Sequence, residues 1–196
     1  MSITSIAFTL FLIANPIGNF PAIIAVIKDF DYETQKKIML REAFLALSLA
    51  IFFQYFGEIF LGQLEVKQYS LQLTGGILLL LVAFYMIFPR VEEEQAKGQK
   101  SIPVFVPIAT PLIAGPALLT MIMIFSSEDP SNLNITLAIL LAWVGITIAL
   151  VAAPMLQRFF GKRGLIALEQ LMGLLLAMMA MEMIVQGSKV FIKSIS

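Results

Sequence analysis

Long apolar stretches alternate with short charged ones along this chain. Charge-poor runs cover residues 3–27, 43–62, 70–88, 102–125, 135–156 and 165–185, each close to the roughly 20 residues that cross a bilayer as a helix. The pattern predicts an all-α membrane protein of six transmembrane helices. The segments between the runs are too short for a soluble domain, so the expectation is one transmembrane domain over 1–196.

The two halves of the pattern repeat. Pro16 and Pro21 match Pro111 and Pro116 at an offset of 95. An offset of 97 pairs Leu71 with Leu168, Gly76 with Gly173, Leu78 with Leu175, Leu79 with Leu176, Ala83 with Ala180, Met86 with Met183 and Ile87 with Ile184. Each unit would hold three helices, an odd number, so the second unit enters the membrane from the opposite side. The expected plan is a 3+3 inverted repeat of the kind found in secondary transporters. Repeat 1 spans about 1–90, repeat 2 about 101–190, and a cytoplasmic connector 89–101, with Glu92, Glu93, Glu94 and Lys97, joins them as a solvated loop.

Polar positions interrupt two of the runs near their centres. In the first, Asn15-Pro16-Ile17-Gly18-Asn19-Phe20-Pro21 carries two prolines that remove backbone donors, freeing the carbonyls of Leu12 and Ile17. In the fourth, Thr110-Pro111-Leu112-Ile113-Ala114-Gly115-Pro116 does the same for Pro107 and Leu112, with Thr120 a turn further on. Helices 1 and 4 are thus expected to be broken near the midplane. Asn15-Pro16 and Thr110-Pro111 each read as a capping residue followed by proline, the order in which a helix restarts, with Asn19 a second cap before Pro21. Gly18 and Gly115 permit the turn. Irregular backbone at membrane depth is tolerated where protein buries it or where it lines a polar cavity.

Composition sharpens the class. At 59% hydrophobic and 13% charged residues, with mean hydropathy +0.91, the chain carries more apolar surface than a soluble core of this size would hide. Histidine and cysteine are both absent, which removes disulfides, thiolate ligands and Ser-His or Cys-His catalysis. The reading is not an enzyme, with no metal site and no cofactor. Charge distribution gives no basic block for nucleic acid, and Met1-Ser2 precede the first run without a positive n-region, unlike a cleaved signal. Lys28, Lys36, Lys37, Arg41, Arg90, Lys97, Lys100, Arg158, Lys162 and Arg163 all fall after odd-numbered runs. The positive-inside rule therefore puts both termini outside, and the expected location is the cell (inner) membrane, as a multi-pass protein.

If helices restart after both breaks in an inverted pair, two positive helix ends face one centre, each resembling roughly half a charge, and their N–H groups hold an anion or carboxylate. The freed carbonyls would hold an ammonium or a coupling cation. A zwitterionic small molecule suits both. The alternative is simple proline kinking and close packing by small residues. Gly75, Gly76 and Gly173 are read as close packing, and Met172, Met178, Met179, Met181 and Met183 as adaptable core. Of the ionisable residues Glu42, Glu58, Glu169 and Glu182, which snorkelling to the interface accounts for, Glu182 is the candidate for proton coupling.

Asn15-Pro16-Ile17-Gly18-Asn19-Phe20-Pro21 together with Pro111-Leu112-Ile113-Ala114-Gly115-Pro116 resembles the paired signatures of the MarC family of integral membrane proteins, and the likeness in length and motif spacing covers essentially the whole chain. Ala117 stands where the family pattern often has glycine. The resemblance implies six helices in an inverted repeat, a relation to neutral amino-acid transporters and a place in the lysine-exporter superfamily. The resulting expectation is a secondary transporter of small neutral amino acids such as glycine or alanine, driven by H+ or Na+. Its substrate-binding residues would be Asn15, Pro16, Gly18, Asn19, Pro21, Thr110, Pro111, Gly115, Pro116 and Thr120. An exporter of another small metabolite or drug, and a non-transporting scaffold or regulatory subunit, are the competing readings. Partners are the bilayer and the solute, and a homo-oligomer is compatible with the sequence.

Overall fold

A computed structural model describes residues 2–27, 30–88, 113–128 and 131–195. The described residues form α1 (Ile3–Ala14), α2 (Phe20–Ile27), α3 (Tyr32–Gln63), α4 (Gln68–Ile87), α5 (Pro116–Glu128) and α6 (Asn132–Ile195). Residue Gly161 inside α6 is non-helical, with φ 64° and ψ 178°, so α6 consists of two arms that meet there.

Six spanning helices are not what the described residues build. Among the described residues four segments are long and apolar enough to cross a membrane: Tyr32–Gly57, Gln68–Ile87, Asn132–Leu156 and Arg163–Ile195. Among the described residues, the first and fourth apolar runs do not supply the other two. The first is cut into α1, 12 residues, and α2, 8 residues. At 1.5 Å per residue α1 is about 18 Å long, well short of the roughly 30 Å hydrocarbon layer. In the fourth run the described helix, α5, has 13 residues. The clean six-helix 3+3 inverted repeat expected above is overturned by this division. The physical cause in the first run is local: Asn15 turns left-handed and Pro16 withholds its N–H, so the backbone cannot continue as one helix.

Boundaries shift elsewhere too. Helix α3 begins at Tyr32, well before the apolar run at 43, and carries the charged stretch Glu33 to Glu42 as helix. Asp31 caps it: the Thr34 N–H donates to Asp31 Oδ2 at 3.1 Å and the Thr34 hydroxyl to Oδ1 at 2.6 Å. Gln35 Nε2 then donates back to the carbonyls of Ile27 (3.1 Å) and Phe30 (2.9 Å), satisfying acceptors beyond the end of α2. The connector at 89–101 lies outside the described residues.

Helix α4 and α6 share the most extensive packing in the fold. Small residues bring them together reciprocally. A Cβ on Gly76 would lie 3.0 Å from the Ala180 carbonyl oxygen, and one on Gly173 would lie 3.1 Å from the Ala83 carbonyl oxygen. These four positions are two of the pairs matched at an offset of 97, and the contact gives the expected close packing a backbone-to-backbone form. The reciprocity belongs to this helix pair and does not restore the six-span plan.

Polar ties fix α3 against the first arm of α6. Buried Trp143 donates its indole N–H to the Ala43 carbonyl at 2.8 Å. Near the other end, Gln54 Nε2 donates to the Asn132 carbonyl and to Thr136 Oγ1, each at 2.8 Å, and Tyr55 Oη lies 3.0 Å from the same hydroxyl. A hydrogen bond of this kind contributes about 0.5–1.5 kcal/mol net. Alanines 43, 46 and 50 line the contact face of α3, while phenylalanines 44, 52 and 56 face outward, as a lipid-facing surface requires.

Candidate site at the break between helices 1 and 2

Asn15 makes the break. Its backbone lies in the left-handed region (φ 49°, ψ 50°) and its N–H still closes the last turn of α1 on the Phe11 carbonyl. Its side-chain Oδ1 accepts from the Gly18 N–H at 3.2 Å. One residue therefore ends α1 and caps the single turn that follows, with Pro16 at the position where a missing N–H costs nothing. The side chain is 3% exposed, deep within an apolar surround.

Asn19 completes the turn. Its N–H reaches the Asn15 carbonyl at 3.2 Å and its own carbonyl receives the Ile23 N–H at 3.0 Å, opening α2. Its side-chain Nδ2 donates to the Ala14 carbonyl at 3.3 Å, meeting an acceptor at the end of α1. The Ile17 carbonyl, expected to be free, accepts from the Phe20 N–H at 3.2 Å. Pro21 is the second residue of α2. Among the backbone donors here, those of Gly18, Asn19, Phe20 and Ile23 are spent inside the segment.

Helix α4 closes the break from one side. Asn15 Nδ2 donates to Met86 Sδ at 3.1 Å. A Cβ on Gly18 would overlap Met86 Cε and would stand 2.5 Å and 2.6 Å from Asn15 Nδ2 and Oδ1. Gly18 is thus the residue that lets the methionine methyl group and the asparagine amide share one space. Met86 was visible in the sequence through its match to Met183, without any hint of this partner.

The second break is described from Ile113 onward. Thr110 and Pro111, with the carbonyls of Pro107 and Leu112, lie outside the described residues. Ile113 and Ala114 are buried, the Gly115 carbonyl accepts from the Leu119 N–H at 3.1 Å, and Pro116 opens α5. Thr120 is 5% exposed, and its Cγ2 would be 2.5 Å from a Cβ on Gly75, with Met183 Cε at 3.0 Å. Helix α5 packs on both α1 and α4. Met86 and Met183, matched in the sequence, therefore each bring a methyl group to a glycine that Asn15 or Thr120 also borders.

Two of the carboxylates considered in the sequence have side-chain partners of their own. Glu42 is buried, and the Arg41 guanidinium donates to its Oε1 from Nε at 3.1 Å and from a terminal nitrogen at 2.7 Å. Burial with a built-in counterion replaces the interfacial snorkelling expected for it. Glu182 is exposed and accepts from Gln186 Nε2 at 3.0 Å. An apolar cavity of about 460 Å³ lies between α3 and the first arm of α6, lined by Leu40, Phe44, Trp143, Val144, Thr147 and neighbours. It is walled by exposed apolar side chains such as Phe44 and Val144 over a floor of buried Ala43 and Trp143, whose N–H is already bonded, and Asn15 is not part of its lining. Among the described residues no three His, Cys, Asp or Glu side chains cluster to hold a metal ion.

These features define an all-α, multi-pass membrane protein with a buried polar break in its first apolar run. Residues 1–192 match the model of the MarC family integral membrane proteins, and the chain belongs to that family. It is 36% identical over 195 residues to the UPF0056 inner membrane protein YhgN of Escherichia coli (strain K12), covering 97% of this chain and 98% of that one. A UPF0056 membrane protein of Buchnera aphidicola subsp. Baizongia pistaciae is 36% identical over 191 residues, covering 95% and 96%. One from Chlamydia muridarum is 37% identical over 181 residues, covering 91% and 89%. No solved structure matches the chain. Family membership is consistent with a transport-related role in a membrane.

Proposed function

We propose that the protein is a secondary transporter of small neutral amino acids such as glycine or alanine, working by alternating access around the break at Asn15–Pro21 and coupled to H+ or Na+. The observation that carries the reading is Asn15: a buried amide, in a left-handed backbone, at the end of an apolar helix too short to span. Such an arrangement is costly unless it is used, because polar groups in an apolar interior need partners and backbone strain accumulates where mechanism requires it.

In this reading Asn15 and Asn19 supply ligand contacts. Pro16, Pro21, Pro111 and Pro116 keep the backbone open, Gly18 and Gly115 allow close approach, and Thr110 and Thr120 add hydroxyl contacts. An uncharged site of amides, hydroxyls and helix ends suits a zwitterion, which brings both charges itself. The sequence contains no nucleotide-binding P-loop, which leaves an ion gradient or facilitated exit as the energy source. Glu182 is the carboxylate assigned to proton coupling; Glu182→Gln should abolish the pH dependence of transport while leaving binding, and unchanged coupled transport removes that assignment. We place the chain in the inner membrane with both termini outside, an orientation that reporters active only in the cytoplasm would refute if they worked at either end.

The test is counterflow in liposomes across a panel of amino acids, with Asn15→Ala alongside. Glycine or alanine should exchange in the wild type and exchange at least tenfold more slowly in Asn15→Ala. A purified protein that moves no member of the panel, or moves it equally well without the asparagine amide, ends the reading.

A further inference from the structure

The break is already occupied, and its occupant is a side chain of the protein itself. Asn15 Nδ2 is a good donor, 3% exposed, and the acceptor it meets is the thioether sulfur of Met86 at 3.1 Å. A thioether is a weak acceptor, whereas the donors around it on Gly18, Asn19, Phe20 and Ile23 are all given to oxygens. Of the donors recorded at the break, the asparagine amide thus has the least to lose by changing partner. Charge-assisted bonds to a carboxylate are roughly twice as strong as neutral ones, so an anionic oxygen would outcompete sulfur for it.

Space and mobility agree with energy. The Met86 methyl group lies where a side chain on residue 18 would be, so the glycine leaves a recess that the methionine fills. Methionine is unbranched, with three rotatable bonds, and withdraws by changing rotamers without moving its helix. That matters here, because α4 is held against α6 by the backbone contacts at Gly76 and Gly173 and is a poor candidate for a local shift.

We propose that Met86 is the placeholder of the substrate site: its thioether and methyl group fill the break when no solute is bound, and the solute's carboxylate displaces them to reach the Asn15 amide. This rests on the transport reading above and adds a specificity-determining residue to it. Selectivity follows from the exchange. A solute with a neutral amide in place of the carboxylate forgoes the charge-assisted bond at Asn15 and so gains less over sulfur, and one with a bulky side chain competes with the withdrawn methionine for the recess beside Gly18.

The two replacements that test it act in opposite directions. Met86→Leu conserves volume but removes the acceptor, and should tighten apparent affinity for glycine or alanine three- to tenfold. Met86→Gln substitutes an amide oxygen, a much better acceptor for Asn15, and should weaken affinity at least tenfold. Affinity is read from ligand-induced thermal shifts of the full-length protein in detergent, with glycine, alanine and glycinamide as probes, after gel filtration shows each variant to be monodisperse. Glycinamide, which lacks the carboxylate, should bind at least tenfold more weakly than glycine to the wild type. If Met86→Gln does not stay monodisperse, the Met86→Leu and glycinamide results decide. Wild-type binding that is lost in Asn15→Ala but unchanged in both Met86 variants overturns the placeholder and leaves the transport reading standing. Absence of wild-type binding to every amino acid overturns both.

Discussion

Gly76 and Ala180 meet at backbone distance: a Cβ on Gly76 would lie 3.0 Å from the Ala180 carbonyl oxygen and 2.7 Å from Ile184 Cγ1. Backbone cannot rotate out of the way as a flexible side-chain tip does. Gly76→Ala should therefore push α4 from α6 and cost about 1–3 kcal/mol, the usual penalty of overpacking. Thermal unfolding in detergent checks this, with exposed Ile77→Ala as a control that should change little.

Gly161 makes the opposite kind of demand. Nothing lies within 4 Å of a Cβ placed there, so a methyl group has room. Its φ of 64° with ψ of 178° is a conformation essentially reserved for glycine. Gly161→Ala should still destabilise by about 1–3 kcal/mol, from backbone strain alone. A fall in melting temperature comparable to that of Gly76→Ala, despite the open space, would separate strain from crowding.

Trp143→Phe keeps most of the ring in place and deletes the indole donor. The Ala43 carbonyl, 2.8 Å away, would lose that bond in a buried setting. A loss of about 0.5–1.5 kcal/mol is expected. Unchanged stability would mean that the freed carbonyl finds another donor.

Asp31 carries a pH signature. The Thr34 hydroxyl and backbone N–H donate to its carboxylate and hold its pKa below the ordinary 3.8. A depressed folded-state pKa means the cap contributes fully above the unfolded value and is lost as pH falls through the folded one. The melting-temperature difference between wild type and Asp31→Ala should thus be constant from neutral pH down to about pH 4 and shrink below it. A difference that grows on acidification would contradict the capping geometry. Because the site is exposed, the whole effect should be small.

Much of this was legible in the sequence, and for identifiable reasons. Proline and asparagine inside an apolar run leave few backbone options, so the break at Asn15-Pro16 stands where the pattern put it. Gly76 and Gly173 were read as packing residues, and they pack. The number of spanning helices was not legible: the pattern showed the break in the first run, but the run's length made its two pieces count together as one span, whereas they form the separate short helices α1 and α2. The early start of α3 was hidden by its charges: Lys36, Lys37 and Arg41 resemble a loop in composition, yet Asp31 with Thr34 is a capping pair and Glu42 turns inward onto Arg41. Contacts across the sequence, such as Asn15 with Met86 and Gln54 with Thr136, have no periodic signature and emerge only when helices are placed side by side.

Helix α2 has one more consequence. Eight residues are too few to hold a helix together unaided, and its two ends are secured by amides outside it, Asn19 reaching back to Ala14 and Gln35 reaching back to Ile27. It is a clasp with two fasteners. Local opening follows the segments with the least stability of their own, so backbone hydrogen exchange is expected to be faster in α2 than in α4 or the long arms of α6, and loosening there would begin in the chain that follows Asn15.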